Sequence, residues 1–380
     1  MFCKRLSLSL VLVFQIAAMI VLTQFMIGKM NYVSFNLKEF SSLSQESGFY
    51  FCPVMMEDNF DYSSVLRDIK SILTIGRPGF NTDSQVYPLK IYEDQLLQYY
   101  TPQLGKGNWL GDINSENDAL PAICSYANSS IKMGDVLTGE ILDVQTGTLV
   151  PLKINIIGEL AAPNISMDFG ISGNGIKISD LFMPATSNNQ PPDILVSKSQ
   201  LAEFCNIRGE ETNILILFNS SASSEENAAV LRNYGSINRL EDIVQKERED
   251  IGKQLRVLAP YLVMLLLMIL LGLIGLSLLS IMRNMRDLAI YYIVGCSRKR
   301  CISICLYYML MISGFAFIIS APVDLWLFSA KNRIIYQIFP AFSNVFSILC
   351  LLCIMAVISV IGVMAAFRKF STIQLIHGKE

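Results

Sequence analysis

The sequence predicts an α-helical membrane protein with four transmembrane helices and an α+β extracytoplasmic domain inserted between helices 1 and 2. Three observations predict it. Of 380 residues, 52% are hydrophobic and only 16% are charged, too few charges for an ordinary soluble chain. Four apolar runs, Leu6–Ile27, Val257–Met282, Cys301–Leu327 and Val345–Phe367, each reach the ~20 helical residues that cross a bilayer. The charge is also divided: residues 29–256 hold 29 of the 32 acids and 18 of the 30 bases, a net −11 against +9 for the remainder. The positive charge sits in short runs beside apolar segments, which excludes a basic nucleic-acid binder.

Residues 1–28 read as the first transmembrane helix with a cytoplasmic N-terminus. Lys4 and Arg5 precede an apolar stretch far longer than the ~7–15 residues of a secretory h-region, and no small-x-small cleavage site follows. It is expected to stay as an anchor. Lys and Arg in the short flanks orient the chain: Lys4 and Arg5, then Arg283, Arg286, Arg298, Lys299 and Arg300, then Arg368, Lys369 and Lys379 all belong inside. Both termini are therefore expected in the cytoplasm, with the large domain outside the membrane.

Residues 29–237 form the extracytoplasmic core domain. Asp61–Leu73 reads as a helix, with Val65, Leu66, Ile69 and Leu73 near one face, and Tyr92–Tyr100 as a second. After Trp109 come short β-type runs, Ala122–Tyr126, Ile141–Val144, Leu149–Ile157, Ile194–Val196 and Ile214–Phe218, between Gly, Pro, Asn and Asp signals. Pro163–Asn189, rich in Gly, Asn and Ser, is expected to be a mobile insertion. Cys52, Cys124 and Cys205 are the cysteines of this domain and permit one disulfide at most.

A helical stalk is expected over 238–256, running into transmembrane helix 2 at 257–282. Leu240, Ile243, Val244, Ile251, Leu255 and Leu258 recur at three-, four- and seven-residue steps, giving one apolar stripe. The stripe fits a helix lying on its own domain and equally a seam against a second copy, through Leu240, Val244, Ile251 and Leu255. Transmembrane helix 3 follows at 301–327, an outer loop at 328–344, transmembrane helix 4 at 345–367 and a cytoplasmic tail at 368–380.

Between helices 2 and 3, residues 283–300 carry the sharpest pattern. Met285, Leu288, Ala289, Tyr292, Ile293 and Cys296 share one helix face, and the opposite side mixes Arg283, Arg286 and Asp287 with Ile290, Tyr291 and Val294. Such a mixture exposed to the cytoplasm suits a partner groove. Gly295 fits a helix stop and Ser297 a new cap.

The absences are as informative. The single histidine is His377, so neither an H-E-x-x-H zinc site nor an intramembrane Ser/His dyad is available. Asp324 is the one acid in any span, too few for an aspartyl dyad or a proton relay. Leu104-Gly-Lys-Gly107 lacks the spacing of a phosphate loop. No catalytic residue, cofactor or metal site is expected.

The segment Met285-Arg-Asp-Leu-Ala-Ile-Tyr-Tyr-Ile-Val-Gly295-Cys-Ser297 resembles the cytoplasmic segment of MacB/FtsX-type ABC transporter permeases, R-E-[IL]-G-[IL]-x-x-[AL]-[LIM]-G-A-[ST]. Arg286, Leu288, Ile290, Gly295 and Ser297 match. Asp287 stands where the family has Glu, and Ala289 where it has Gly. The order of one span, a large outside domain and three spans is similar to the family's. So are Leu104-Gly-Lys-Gly-Asn-Trp-Leu110, Leu120-Pro-Ala-Ile-Cys124, Ile131-Lys-Met-Gly-Asp135 and Ile154-Asn-Ile-Ile-Gly-Glu-Leu160, taken in succession.

The resemblance implies a permease subunit that is not itself an enzyme, since it lacks a nucleotide site and depends on an ABC-type ATP-binding subunit. That partner would dock on Arg286, Asp287, Ile290, Tyr291, Val294 and Gly295. A second permease subunit, in a homodimer or a related heterodimer, and an extracytoplasmic partner protein complete the expected assembly, with a peptide or amphiphile as the substrate class. The alternative is an FtsX-like regulator that activates a cell-wall hydrolase and transports nothing. A receptor or scaffold without an ATPase would leave the segment around Arg286 unexplained.

Overall fold

The computed structural model describes residues 6–54, 62–110, 119–125, 131–143, 146–161, 165–184, 191–205, 213–283, 298–329 and 336–340, with 344–346, 348–350, 353, 357 and 361. The chain divides into two compact units, Met1–Tyr32 with Gly252–Glu380, and Val33–Ile251.

The first unit holds most of the apolar helices' length. Helix α1 spans Leu6–Glu39, and three helices among the described residues are long and apolar enough to cross a membrane, in Leu10–Glu39, Leu240–Gly272 and Leu310–Leu327. At 1.5 Å per residue α1 is about 50 Å long, well beyond the expected end at residue 28. Its positions Leu12, Val13, Ile16 and Ile20 lie on one face and bury against Ile269, Ile312, Ala316 and Ile348. Gly272 permits this approach, because a Cβ there would stand 2.8 Å from Leu12 Cδ1, whereas one at Gly275 would meet nothing within 4 Å. Near the other end of the unit Asn31 Nδ2 donates to Asn344 Oδ1 at 2.9 Å, and Phe339 N–H to the Gly28 carbonyl at 3.0 Å. The expected fourth helix at 345–367 lies mostly outside the described residues.

In the second unit the strands are β1 Ser47–Pro53, β2 Ile69–Gly76, β3 Gly79–Asn81, β4 Val86–Tyr92, β5 Leu104–Gly107, β6 Leu120–Cys124, β7 Val136–Asp143, β8 Thr148–Leu160, β9 Ile165–Met167, β10 Phe182–Pro184, β11 Ile194–Ser197, β12 Ile214–Phe218 and β13 Gly235–Arg239. The short helices are α2 Tyr62–Val65, α3 Asp94–Tyr99, α4 Ile178–Leu181, α5 Lys198–Ala202 and α6 Ser221–Leu231. Helices α7, Leu240–Arg283, and α8, Arg298–Leu327, follow.

Six strands close into a ring in the order β11-β6-β8-β7-β3-β4, because β11 also pairs in parallel with β4, Ile194 opposite Leu89. Side chains alternate across a strand, so Tyr87, Leu89 and Ile91 of β4 point inward with Ala122, Ile154, Ile156 and Val196 and fill the barrel. Closure removes free edges. From β4 the sheet continues outward through β2 into an antiparallel layer, β2-β12-β1-β13. On one face of that layer Phe49, Phe51, Ile216 and Phe218 bury against Ala228 and Leu231 of α6.

Several expectations need correction. The helix expected over Asp61–Leu73 is only α2, and Ile69–Gly76 is strand β2, because Ile72, Leu73 and Thr74 pair with Ile216, Leu215 and Ile214. Its β-branched residues favour that state once a partner strand exists. Pro163–Asn189 is not a mobile insertion over the residues described: Met167, Phe169 and Ile178 are all 0% exposed. Its polar character comes from turns, including Gly173 at φ 134° and Gly175 at φ 83°, conformations that suit glycine. Trp109 is half-buried, and its neighbour Leu110 occupies the core at 0% exposure. The stalk begins at Leu240, since Asn238 belongs to β13. Cys52, Cys124 and Cys205 are free thiols.

Candidate functional site

Outside the barrel, strand β4 turns Lys90 and Tyr92 away from the interior, and residues 165–184 cover them as a strap. Its ends zip together, with Phe182 opposite Met167 and Pro184 opposite Ile165 in β9 and β10. Lys90 is 3% exposed, and so deep an ammonium needs partners. It has Asp168 at 3.1 Å, Asp193 at 2.9 Å and the Ser166 hydroxyl at 2.8 Å. Arg77 Nη2 meets Asp168 at 2.7 Å as a charge contact rather than an aligned hydrogen bond. Gly170 makes room, because a Cβ there would collide with the Arg77 guanidinium. Two bases and two acids thus compensate one another. Tyr92 donates to the Met167 carbonyl at 2.8 Å, and the Met167 N–H donates to Tyr100 Oη at 3.2 Å.

The strap then crosses the open layer. Tyr50 Oη donates to the Ile171 carbonyl at 2.9 Å, and its ring meets Phe169 edge-on at 5.5 Å. Asn213 Nδ2 donates to the Phe169 carbonyl at 2.6 Å, and Asn213 Oδ1 accepts from Ser172 at 3.0 Å. On β13 the Asn238 amide serves both sides, donating to the Gly173 carbonyl at 2.9 Å and accepting the Gly175 N–H at 2.8 Å.

The last anchors are on the first turns of α7. Glu247 is 4% exposed, and its Oε2 accepts the Ser179 N–H at 2.9 Å, which caps the short helix α4. Lys177 Nζ pairs with Asp250 at 2.9 Å, both about a third exposed or more. Burial would lower the Lys177 pKa, but the hydrogen bond and charge of Asp250 outweigh it and leave it raised. Phe182, at the returning end, meets Phe40, in the turn just after α1, at 6.5 Å and Tyr100 at 5.9 Å.

Of the expected seam residues, Leu240 is 1% exposed inside its own unit, while Val244, Ile251 and Leu255 are half-buried. The most buried line on this part of α7 is Leu240, Ile243 and Glu247, the carboxylate sitting on the face of the apolar stripe at the turn the stripe skips between Val244 and Ile251. The expected docking residues Arg286, Asp287, Ile290, Tyr291, Val294 and Gly295 lie outside the described residues. Sequence reasoning missed Arg77, Lys90, Asp168, Asp193 and Glu247. The signal for Lys90 was a lone charge within Tyr87-Pro-Leu-Lys-Ile-Tyr92. Nothing local marked its acids, 78 and 103 residues away.

The chemistry of this arrangement is clamping. Burial raises the pKa of Tyr50, Tyr92 and Tyr100, so they remain protonated donors. Burial also pushes the Cys124 thiol up to about 12 and the Cys205 thiol up to about 11, far from thiolate reactivity. Among the described residues no three His, Cys, Asp or Glu side chains converge to hold a metal ion.

No family model and no curated protein matches the chain. Among solved structures it is similar to the extracellular domain of the noncanonic ABC-type transporter YknZ from Gram-positive bacteria, at 8% identity and a TM-score of 0.28 over 51% of this chain and 98% of that one. It is also similar to the periplasmic region of MacB from Actinobacillus actinomycetemcomitans, at 10% identity and a TM-score of 0.30 over 55% of this chain and 96% of that one. The first is an extracellular domain and the second a periplasmic region, and at TM-scores of this size neither likeness decides the fold.

Proposed function

We propose that the chain is the permease subunit of an ATP-driven complex in the bacterial plasma membrane, coupling hydrolysis by a separate ABC-type ATP-binding subunit to movement of residues 29–237. The observation that carries this reading is helix α7, unbroken from Leu240 to Arg283 despite Pro260 within it. Its early turns carry the strap anchors Glu247 and Asp250, and in sequence it leads to the segment with Arg286, Asp287, Ile290, Tyr291, Val294 and Gly295. A single helix resists bending and compression, so displacement at one end reaches the other. ATP binding would bring two ATPases together, and the coupling segments would move with them. The work falls on a peptide or amphiphile handled outside the membrane.

A second permease copy belongs to this reading. Along α7, Val257, Tyr261, Met264 and Leu271 are 62%, 65%, 63% and 70% exposed in the single chain, an apolar face that a second helix or lipid covers.

The test is Ile290→Asp with Tyr291→Asp. In a docking surface that excludes water, unpaired carboxylates are costly. The variant should insert and fold normally, yet lose the ATPase on co-purification. Retention of the ATPase at wild-type stoichiometry would show that the segment only sets topology.

A further inference from the structure

The strap is tied at closely spaced points by side chains of the surrounding scaffold, and the ties form a continuous rail. Ser166 and Asp168 are held by Lys90, Met167 by Tyr92 and Tyr100, Ile171 by Tyr50, and Gly173 and Gly175 by Asn238. The rail ends on α7, with Ser179 on Glu247 and Lys177 on Asp250. The two ends differ in kind. At the barrel Lys90 and Asp168 are 3% and 4% exposed, an anchor that holds. At α7 the Lys177–Asp250 pair is partly in water, where ion pairs are weak and readily broken, and a single buried carboxylate, Glu247, carries the rest.

We propose that residues 165–184 are a latch between α7 and the barrel, closed by Glu247 and Asp250. When the first turns of α7 shift, the Lys177–Leu181 end is pulled or released, and the change runs back along the rail to Asp168 and Lys90. Movement of one helix thereby changes the barrel without requiring the barrel's own core to rearrange. This inference rests on the reading of α7 as the moving element.

Cys52 supplies a native reporter. Its side chain is 2% exposed, and Sγ lies 4.0 Å from the Ile171 carbonyl, beneath the middle of the strap. Opening the latch at α7 should uncover this thiol although no residue near it has been changed. The experiment compares full-length wild type, Glu247→Ala and Lys177→Ala in detergent, measuring iodoacetamide alkylation of Cys52 by mass spectrometry and amide exchange over 166–181. Losing one buried hydrogen bond to a charged group should raise the Cys52 rate about tenfold, with faster exchange at Met167 and Asp168 as well as at 178–181. Lys70→Ala, which removes an exposed ion pair with Glu46 away from the rail, should change neither.

Faster exchange confined to 178–181, with Cys52 unaltered, would overturn the latch and leave Glu247 as a local helix cap. Should Glu247→Ala fail to fold, Lys177→Ala decides alone, since that side chain is 31% exposed and tolerates removal. The measurement needs no ATPase. A latch that fails here is therefore distinct from a permease reading that fails by keeping its ATPase after Ile290→Asp with Tyr291→Asp.

Discussion

Lys90 and Asp168 form a 3.1 Å ion pair with side chains only 4% and 6% exposed, and it joins the barrel wall to the strap through two buried charges. Removing one member of a buried pair leaves the other charge uncompensated, at a cost of about 3–5 kcal/mol. Lys90→Met should therefore destabilise the unit Val33–Ile251 by about that amount. Urea titration of the full chain with Trp326 replaced by Phe, followed by Trp109 fluorescence, reads it. A change within experimental scatter would show that Arg77 alone satisfies Asp168 and Asp193.

The same pair shows what could be read from sequence and what could not. Short apolar runs such as Ile214–Phe218 and Ile194–Val196 became strands β12 and β11 because β-branched residues between turn signals carry local information. Long apolar runs marked the helices for the same reason. Ser47–Pro53 went unread since β1 is buried on both faces, which erases the alternation that identifies a strand. The strap was misread because its ordering comes from distant side chains, Lys90, Asn213, Asn238 and Glu247, while its own Gly and Asn content signals only turns. Contacts of that range have no periodicity along the chain.

Asp68 predicts a pH dependence. Its carboxylate accepts from Asn219 Nδ2 at 2.7 Å and from the Ser223 hydroxyl, tying the start of α6 to the residue just before β2. The Ser223 and Asn219 hydrogen bonds hold its pKa below the ordinary 3.8. A depressed pKa contributes stability above the unfolded value and loses it as pH falls through the folded one. The protection of amides in 221–231, taken relative to the intrinsic exchange rate at each pH, should fall as pH drops below 3.8, and Asp68→Asn should flatten that dependence. An unchanged profile in the variant would show that another carboxylate is responsible.

Topology gives a third prediction, resting on the Lys and Arg distribution. Single cysteines at Ser129 and Asn284 in a cysteine-free chain should differ, the first labelled from outside intact cells and the second only after permeabilisation. External labelling of Asn284 would reverse the assignment of the segment containing Arg286.

The last prediction isolates α7 from the strap. Lys253 is exposed and lies two turns beyond Glu247, so changing it leaves the Ser179 and Lys177 anchors in place. Lys253→Pro removes one backbone donor and sets the ring against the Glu249 carbonyl, which costs about 3 kcal/mol in a helix interior and bends or breaks it. Pro260 does not already impose this, because the helix continues through it to Arg283. Lys253→Ala serves as the control that keeps the helix. In the complex with its ATPase, adding ATP should change the alkylation rate of Cys52 in wild type and in Lys253→Ala. Lys253→Pro should still bind the ATPase through Ile290 and Tyr291 and still support ATP turnover, while Cys52 becomes insensitive to ATP. An ATP response of wild-type size in Lys253→Pro would mean that movement reaches the strap by another route, with the chain after α1 the next candidate, since Phe40 meets Phe182 of the strap at 6.5 Å.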